Sequence, residues 1–180
     1  AASGADSAGP IMHTLNLREA PFWIALIVPL LIAAAATSVI LPQNWAVAQD
    51  GKGFMYFANN DGLLVYDGVQ WHLYPMPNHS MVRSIYIRDG GEIFLGAYND
   101  FGKMEPEASG RLAFHSFREL IPEEYSNFDD VWNIFPYKGK IMFQSYYAAW
   151  FYREGTPMAV VTAPSRFQNS YSVNGRLLFN

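Results

Sequence analysis

The sequence predicts an all-β repeat fold, an incomplete β-propeller of about three and a half four-stranded blades behind one hydrophobic N-terminal helix. Three observations carry this. From Asn44 onward the apolar residues come in short runs separated by Gly, Asp and Asn, which is strand-and-turn patterning rather than helical periodicity. A Gly-led strand then recurs behind Gly53, Gly91, Gly139 and Gly175, at spacings of 38, 48 and 36 residues. Finally, 16% of the residues are aromatic and 51% hydrophobic, enough to fill the space between sheets. Four short strands and their turns need about 40 residues, the size of a propeller blade.

The chain begins with residues 1–11, read as a linker or non-native leader. Residues 12–40 form a signal peptide or membrane anchor. Their centre, 22–40, is FWIALIVPLLIAAAATSVI, 19 residues without a charge and close to the ~20 that span a bilayer as a helix. Read as a signal peptide, the segment starts at Met12, and Ala33 to Ala36 supply small residues for cleavage near Ala36 or Ser38. Read as an anchor, it is retained; Glu19 beside Arg18 leaves the preceding region barely positive. A buried core helix is the third option, poorly served by Pro29. Signal and anchor both place residues 41–180, the N-terminal blades of the propeller, outside the cytoplasm.

Each unit then divides alike. First strands fall at 45–49, 82–88, 131–137 and 167–173, followed by turns at Asp50-Gly51, Asp89-Gly90, Lys138-Gly139 and Asn174-Gly175. Such pairs tolerate the positive φ of tight hairpins. Second strands are 54–58, 92–96, 140–144 and 176–179; third strands are 63–66, 101–105 and 148–153; fourth strands are 69–74, 112–117 and 158–162. The alternatives are a meander of unrelated hairpins or a β-sandwich, whose strands do not repeat in fours. Closed propellers need at least four blades, so the expectation is that these residues belong to a longer protein whose further blades complete the sheet ring.

Up-and-down blades sort their connections by face. Tight turns fall on one face. The other receives the loops between second and third strands and the connections between blades, including 75–81 and 118–130. Long loops on one rim of a rigid scaffold are where binding usually resides. The candidate ligand residues are therefore Asn60, Asp61, Tyr98, Asn99, Asp100, Tyr146 and Tyr147. Amides, carboxylates and exposed rings suit a small polar ligand such as an oligosaccharide. Asn and Asp are also good turn formers, and this plainer role stands beside the binding one.

Several chemistries lack their residues. Net charge is −4 with no Lys/Arg cluster, which argues against nucleic-acid contact. Without cysteine there is no disulfide, thiolate metal site or Cys nucleophile. The four histidines, His13, His72, His79 and His115, stand at no metal-ligand spacing, and no GxSxG elbow or phosphate loop occurs. Asn60-Asp61-Gly62 lacks the alternate oxygen ligands of a calcium loop. The neighbouring carboxylates Glu123-Glu124 and Asp129-Asp130 read as a solvated acidic loop, Trp45, Trp71 and Trp132 as packing between sheets. No catalytic residue, metal or cofactor is expected.

The stretch QNWAVAQDGKGFMYFANNDGLLVYDGVQWHLYPMPNHSMVRSIYIRDGGEIFLGAYNDFGKME resembles the two-component regulator propeller repeats of Bacteroidetes-type sensors, in the hybrid two-component and triple-tyrosine LuxR-like branches. The matching pattern runs from Gln49-Asp50 through Gly62-Leu63-Leu64-Val65-Tyr66-Asp67-Gly68. Unit two follows through Asp89 and Gly96, with Ala97 in place of Thr, and unit three departs at Gln144, where Gly is usual. FDDVW at 128–132 is similar to the same group. The resemblance covers about residues 43–155. It implies a non-catalytic periplasmic sensor in a pathway of transcription regulation, with further blades, downstream signalling domains and a kinase or DNA-binding output as partners. A homodimer of the full-length protein fits the same picture. Two alternatives stay open: a secreted propeller enzyme (glycoside hydrolase or lyase) whose carboxylates lie in later blades, and a secreted protein-binding scaffold.

Overall fold

The computed structural model describes residues 43–167, 170–174 and 176–179, all within the compact unit Pro42–Asn180. The expected leader, the hydrophobic helix and Gly175 lie outside the described residues. Among the described residues no helix is long and apolar enough to cross a membrane.

Three four-stranded antiparallel sheets follow one another along the chain. Blade one is β1 (Asn44–Gln49), β2 (Met55–Asn59), β3 (Gly62–Tyr66) and β4 (Trp71–Tyr74). Blade two is β5 (Val82–Ile87), β6 (Ile93–Ala97), β7 (Asp100–Pro106) and β8 (Leu112–Ser116). Blade three is β9 (Asn133–Tyr137), β10 (Lys140–Gln144), β11 (Ala148–Tyr152) and β12 (Ala159–Thr162). A two-stranded sheet, β13 (Ser170–Val173) and β14 (Arg176–Phe179), begins a fourth. In each sheet the strands pair in sequence order, so the up-and-down blades expected from the repeat are the observed fold.

The corrections are local. The third unit's first strand begins at Asn133 rather than at Val131. The connection 118–130 is not wholly irregular: it contains two 3-10 turns, Arg118–Leu120 and Glu123–Tyr125. The hairpin of two residues with positive φ occurs at Lys138-Gly139, with φ of 47 and 74. In blade one the turn is wider, and Asp50 organises it by accepting the N–H groups of Lys52 and Phe54 and the Tyr56 hydroxyl.

Period-two alternation explains how the blades pack. On β2, Tyr56 and Ala58 turn toward blade two, where they meet Ile93, Leu95 and Ala97 of β6. Phe94, between those residues, points the other way and joins Phe101, Phe143 and Trp150 in the core between blades two and three. Every residue of β6 is buried, because this sheet is covered on both faces. Gly96 shows how close the second contact is. A Cβ there would lie 2.3 Å from Ser84 Oγ and 2.7 Å from the Val131 carbonyl oxygen. Gly96→Ala is expected to cost about 1–3 kcal/mol by forcing these backbones apart, read as a lower denaturation midpoint.

The tryptophan expectation needs correcting. Trp71 is 53% exposed and packs within its own blade, whereas Trp150 of β11 is fully buried and fills the inter-blade core; Trp45 and Trp132 do meet between blades, with ring centroids 6.0 Å apart. Trp71 instead lies over Phe57 and Tyr66 on blade one, with ring centroids 5.5 and 4.8 Å away.

The β3–β4 turn carries a testable electrostatic signature. Asp67 Oδ1 accepts the backbone N–H of Gln70 at 2.7 Å and of Val69 at 2.8 Å, and Oδ2 lies 3.1 Å from His72 Nε2. These contacts, led by the Gln70 amide, bring its carboxyl from the usual 3.8 to about 2. A depressed carboxyl adds stability above its unfolded value that is lost as pH falls through the folded one. Carbon-detected titration is expected to place the Asp67 midpoint near 2, and Asp67→Ala is expected to flatten the acid-stability curve between about pH 4 and 2.

Candidate functional site

The β2–β3 and β6–β7 loops, the β10–β11 loop and the inter-blade connections emerge on one face, opposite the tight hairpins. The longest connection, 118–130, is fastened to blade two along its length. Phe117 and Ile121 are buried in the inter-blade core, and Phe128 packs against it. Asn99, at φ 51, accepts the Phe128 N–H on Oδ1 and donates its own N–H to the Asp129 carbonyl. Its carbonyl accepts a hydrogen bond from Arg118, whose other terminal nitrogen donates to the Ser126 carbonyl. Tyr98 bridges to Asp130, and Val131 N–H continues the zipper onto Ala97.

Pinned in this way, the connection stands opposite the β10–β11 loop and the two enclose a groove of about 290 Å³. Glu124, Tyr125, Asn127 and Asp129 line one side, Ser145 and Tyr147 the other, with Trp150 among the lining residues. Tyr147 is 56% exposed, so its ring is free to receive a ligand. Trp150 is fully buried, and its indole N–H has no hydrogen-bond partner among the described residues. A buried donor left unpaired costs about 1–3 kcal/mol. The Tyr125 hydroxyl is raised above its ordinary value, first of all by its hydrogen bond to Glu124.

A second cluster occupies the same face. The first strands of blades one and two carry register breaks at Asn44/Ala46 and Val82/Ser84, so Trp45 and Arg83 are equivalent bulge residues. Trp132, which precedes β9 and donates its N–H to the Gln144 carbonyl, holds the same place in blade three. The three side chains meet. Arg83 lies 3.9 Å from the Trp45 ring centre and 5.2 Å from that of Trp132. Its Nε pairs with Asp130 at 2.9 Å; the Arg83 side chain is buried and that of Asp130 mostly covered. Beyond Trp132 stands Tyr146, with Arg166 3.5 Å over its ring. This cluster joins three blades through one buried cation.

The seven residues singled out from sequence separate accordingly. Tyr147 lines the groove, while Asn99 holds its wall from behind. Tyr146 and Asn60 belong to the tryptophan–arginine cluster, Asn60 by accepting the Trp45 indole N–H at 2.8 Å. Asp100 is buried in β7, where burial pushes its carboxyl up and the Ser116 hydroxyl, 2.6 Å away, opposes that. Asp61 is exposed in its turn, its N–H bound to Asn59 Oδ1. Tyr98 is exposed beside the groove's connection. Sequence reasoning missed Tyr125, Asn127 and Trp150, read Glu124 and Asp129 as a solvated loop, and did not mark Arg83. The available signals were the extra length of the third connection and the alignment of Trp45, Arg83 and Trp132 across the repeat.

No protein-family model matches the sequence, and no curated protein matches it. Solved structures do. The virginiamycin B lyase of Staphylococcus aureus superposes with a TM-score of 0.56 at 13% identity, over 76% of this chain and 48% of that one. The extracellular domain of a hybrid two-component system from B. thetaiotaomicron superposes with a TM-score of 0.57 at 15% identity, over 77% of this chain and 19% of that one. The fold is that of propeller blades. At these identities the likeness concerns the fold alone, and the chain spans about half of the first protein's length and about a fifth of the second's.

Proposed function

We propose that the chain is a ligand-sensing part of an extracytoplasmic β-propeller, belonging to the two-component regulator propeller repeats and non-catalytic in this segment. The observation that carries the reading is the groove between the β8–β9 connection and the β10–β11 loop, lined by Glu124, Asn127, Asp129 and Ser145 and by an exposed tyrosine ring. The fold likeness to an extracellular sensor domain and the Gly62–Gly68 repeat pattern support it. A small polar ligand, an oligosaccharide above all, would pair with the donors and acceptors of the groove and lay a sugar face on Tyr147. Because the walls come from successive blades, a bound ligand would favour one inter-blade arrangement over another, which is how binding shifts a signalling equilibrium. Further blades and downstream signalling domains are the proposed partners, with the periplasm the proposed location.

The lyase neighbour raises the enzymatic alternative. Glu124 and Asp129 are both exposed, an environment better suited to hydrogen-bonding a ligand than to holding a proton for transfer. Thermal shift of the full chain against neutral, amino and acidic saccharides tests the proposal. At least one class is expected to raise the melting temperature, and Tyr147→Ala to abolish the rise. No shift with any of them would count against a saccharide sensor.

A further inference from the structure

We infer that the uncovered face of blade one seats a complete four-stranded blade of the same repeat, supplied by the same polypeptide. The face belongs to the propeller reading above and not to the groove, so a failure of saccharide binding leaves it untouched. Register puts Val47, Phe57, Leu64 and Leu73 in one row across the four strands, with Tyr66 and Trp71 in the next. Val47 on the innermost strand is 60% exposed and Leu73 on the outermost 47%. No charged residue stands on this face of the sheet. A sheet face built for water carries polar side chains at these alternate positions, and an exposed apolar area of this kind marks an interface.

The repeat identifies what covers it. Phe57, Leu95 and Phe143 each stand at the same place behind the leading Gly53, Gly91 and Gly139. Leu95 is fully buried in the core shared with blade one, and Phe143 in the core shared with blade two. Phe57 holds the equivalent position and is only half-buried, because no blade precedes blade one among the described residues. The established stack of blades therefore continues through this face.

Its depth fixes the kind of blade. The apolar rows run from β1 to β4, so the occupant spans four strands. A second copy of this chain offers, at its free end among the described residues, only the two-stranded sheet of β13 and β14, which would leave β3 and β4 uncovered. The two solved structures are matched over 48% and 19% of their own chains, so that in each the same polypeptide runs on beyond the matched part, which supports one chain as the source. The occupant would present what blades one and two present to the blade that follows, apolar residues in the places of Tyr56 and Phe94.

The test compares thermal melting of Leu73→Lys in the 180-residue chain and in the full-length natural protein. In the chain alone the lysine stays in water, and the melting temperature is expected to move by less than about 2 °C; in the full-length protein it is covered without a partner, and the fall is expected to exceed about 5 °C. A photoreactive p-benzoylphenylalanine placed at Leu73 of the full-length protein then identifies the occupant. Irradiation is expected to leave the chain at its monomer mass and to join Leu73's position to a blade outside residues 1–180. An adduct of doubled mass would make the occupant a second copy, and an adduct to residues 22–40 would make it the hydrophobic segment. Either result overturns the proposal, as does the absence of any adduct or an equal fall of both melting temperatures.

Discussion

Trp150→Ala is expected to lower the unfolding free energy of the full chain by about 3–5 kcal/mol, the range for emptying a large buried aromatic site. Trp150 sits at the centre of the core between blades two and three. Its ring lies 5.2 Å from that of Phe101 and 4.4 Å from that of Phe128, and Phe101 stacks in turn on Phe143 at 4.4 Å. Removing it leaves a cavity that two sheets must collapse to fill, and it frees Phe128, on which the groove's connection leans. Trp150→Phe keeps an aromatic ring in the core and loses the unpaired N–H with part of the indole, so its cost is expected to be less than half as large. Denaturant titration separates the two variants. A loss below about 1 kcal/mol for Trp150→Ala would show that blade contact does not depend on this residue.

The second large effect is expected from Arg83→Ala, again about 3–5 kcal/mol, because it strands a partner rather than because the pair itself is strongly stabilising. The Arg83 and Asp130 side chains are only 8% and 15% exposed. Without the guanidinium, the Asp130 side chain loses its ion-pair partner at a site with little water. Trp45 and Trp132, whose rings stand 6.0 Å apart at a steep angle, lose the cation between them. Adding Asp130→Ala to Arg83→Ala is expected to recover part of the loss, since the stranded charge is then gone. A double variant that costs the sum of the two single ones would refute a direct coupling.

The blade plan was legible because propeller sheets obey short-range rules. Asp-Gly and Lys-Gly turns, period-two strands and the Gly-led second strand at each repeat all lie within a few residues of one another. Boundaries slipped where tertiary contacts decide them. Val131 reads as a strand residue, yet its N–H bonds the Ala97 carbonyl of the neighbouring blade and its backbone oxygen receives Ser84 Oγ. The site was legible only at the level of a face. Tyr146 and Tyr147 are consecutive and chemically identical, but one enters the tryptophan–arginine cluster and the other lines the groove, a difference set by the loop path. Asn99 and Asp100 looked like ligand residues because polar groups in a short loop serve binding and loop closure equally well. Trp150 carried no sequence signal as a site residue. Its importance arises from its burial against Phe101 and Phe128, a property of three dimensions.

The most direct measurement is a crystal structure of the chain with a saccharide that raises its melting temperature. The account predicts the sugar in the groove, between Tyr147 and Asp129. A sugar bound elsewhere, with the groove empty and unchanged, would contradict it.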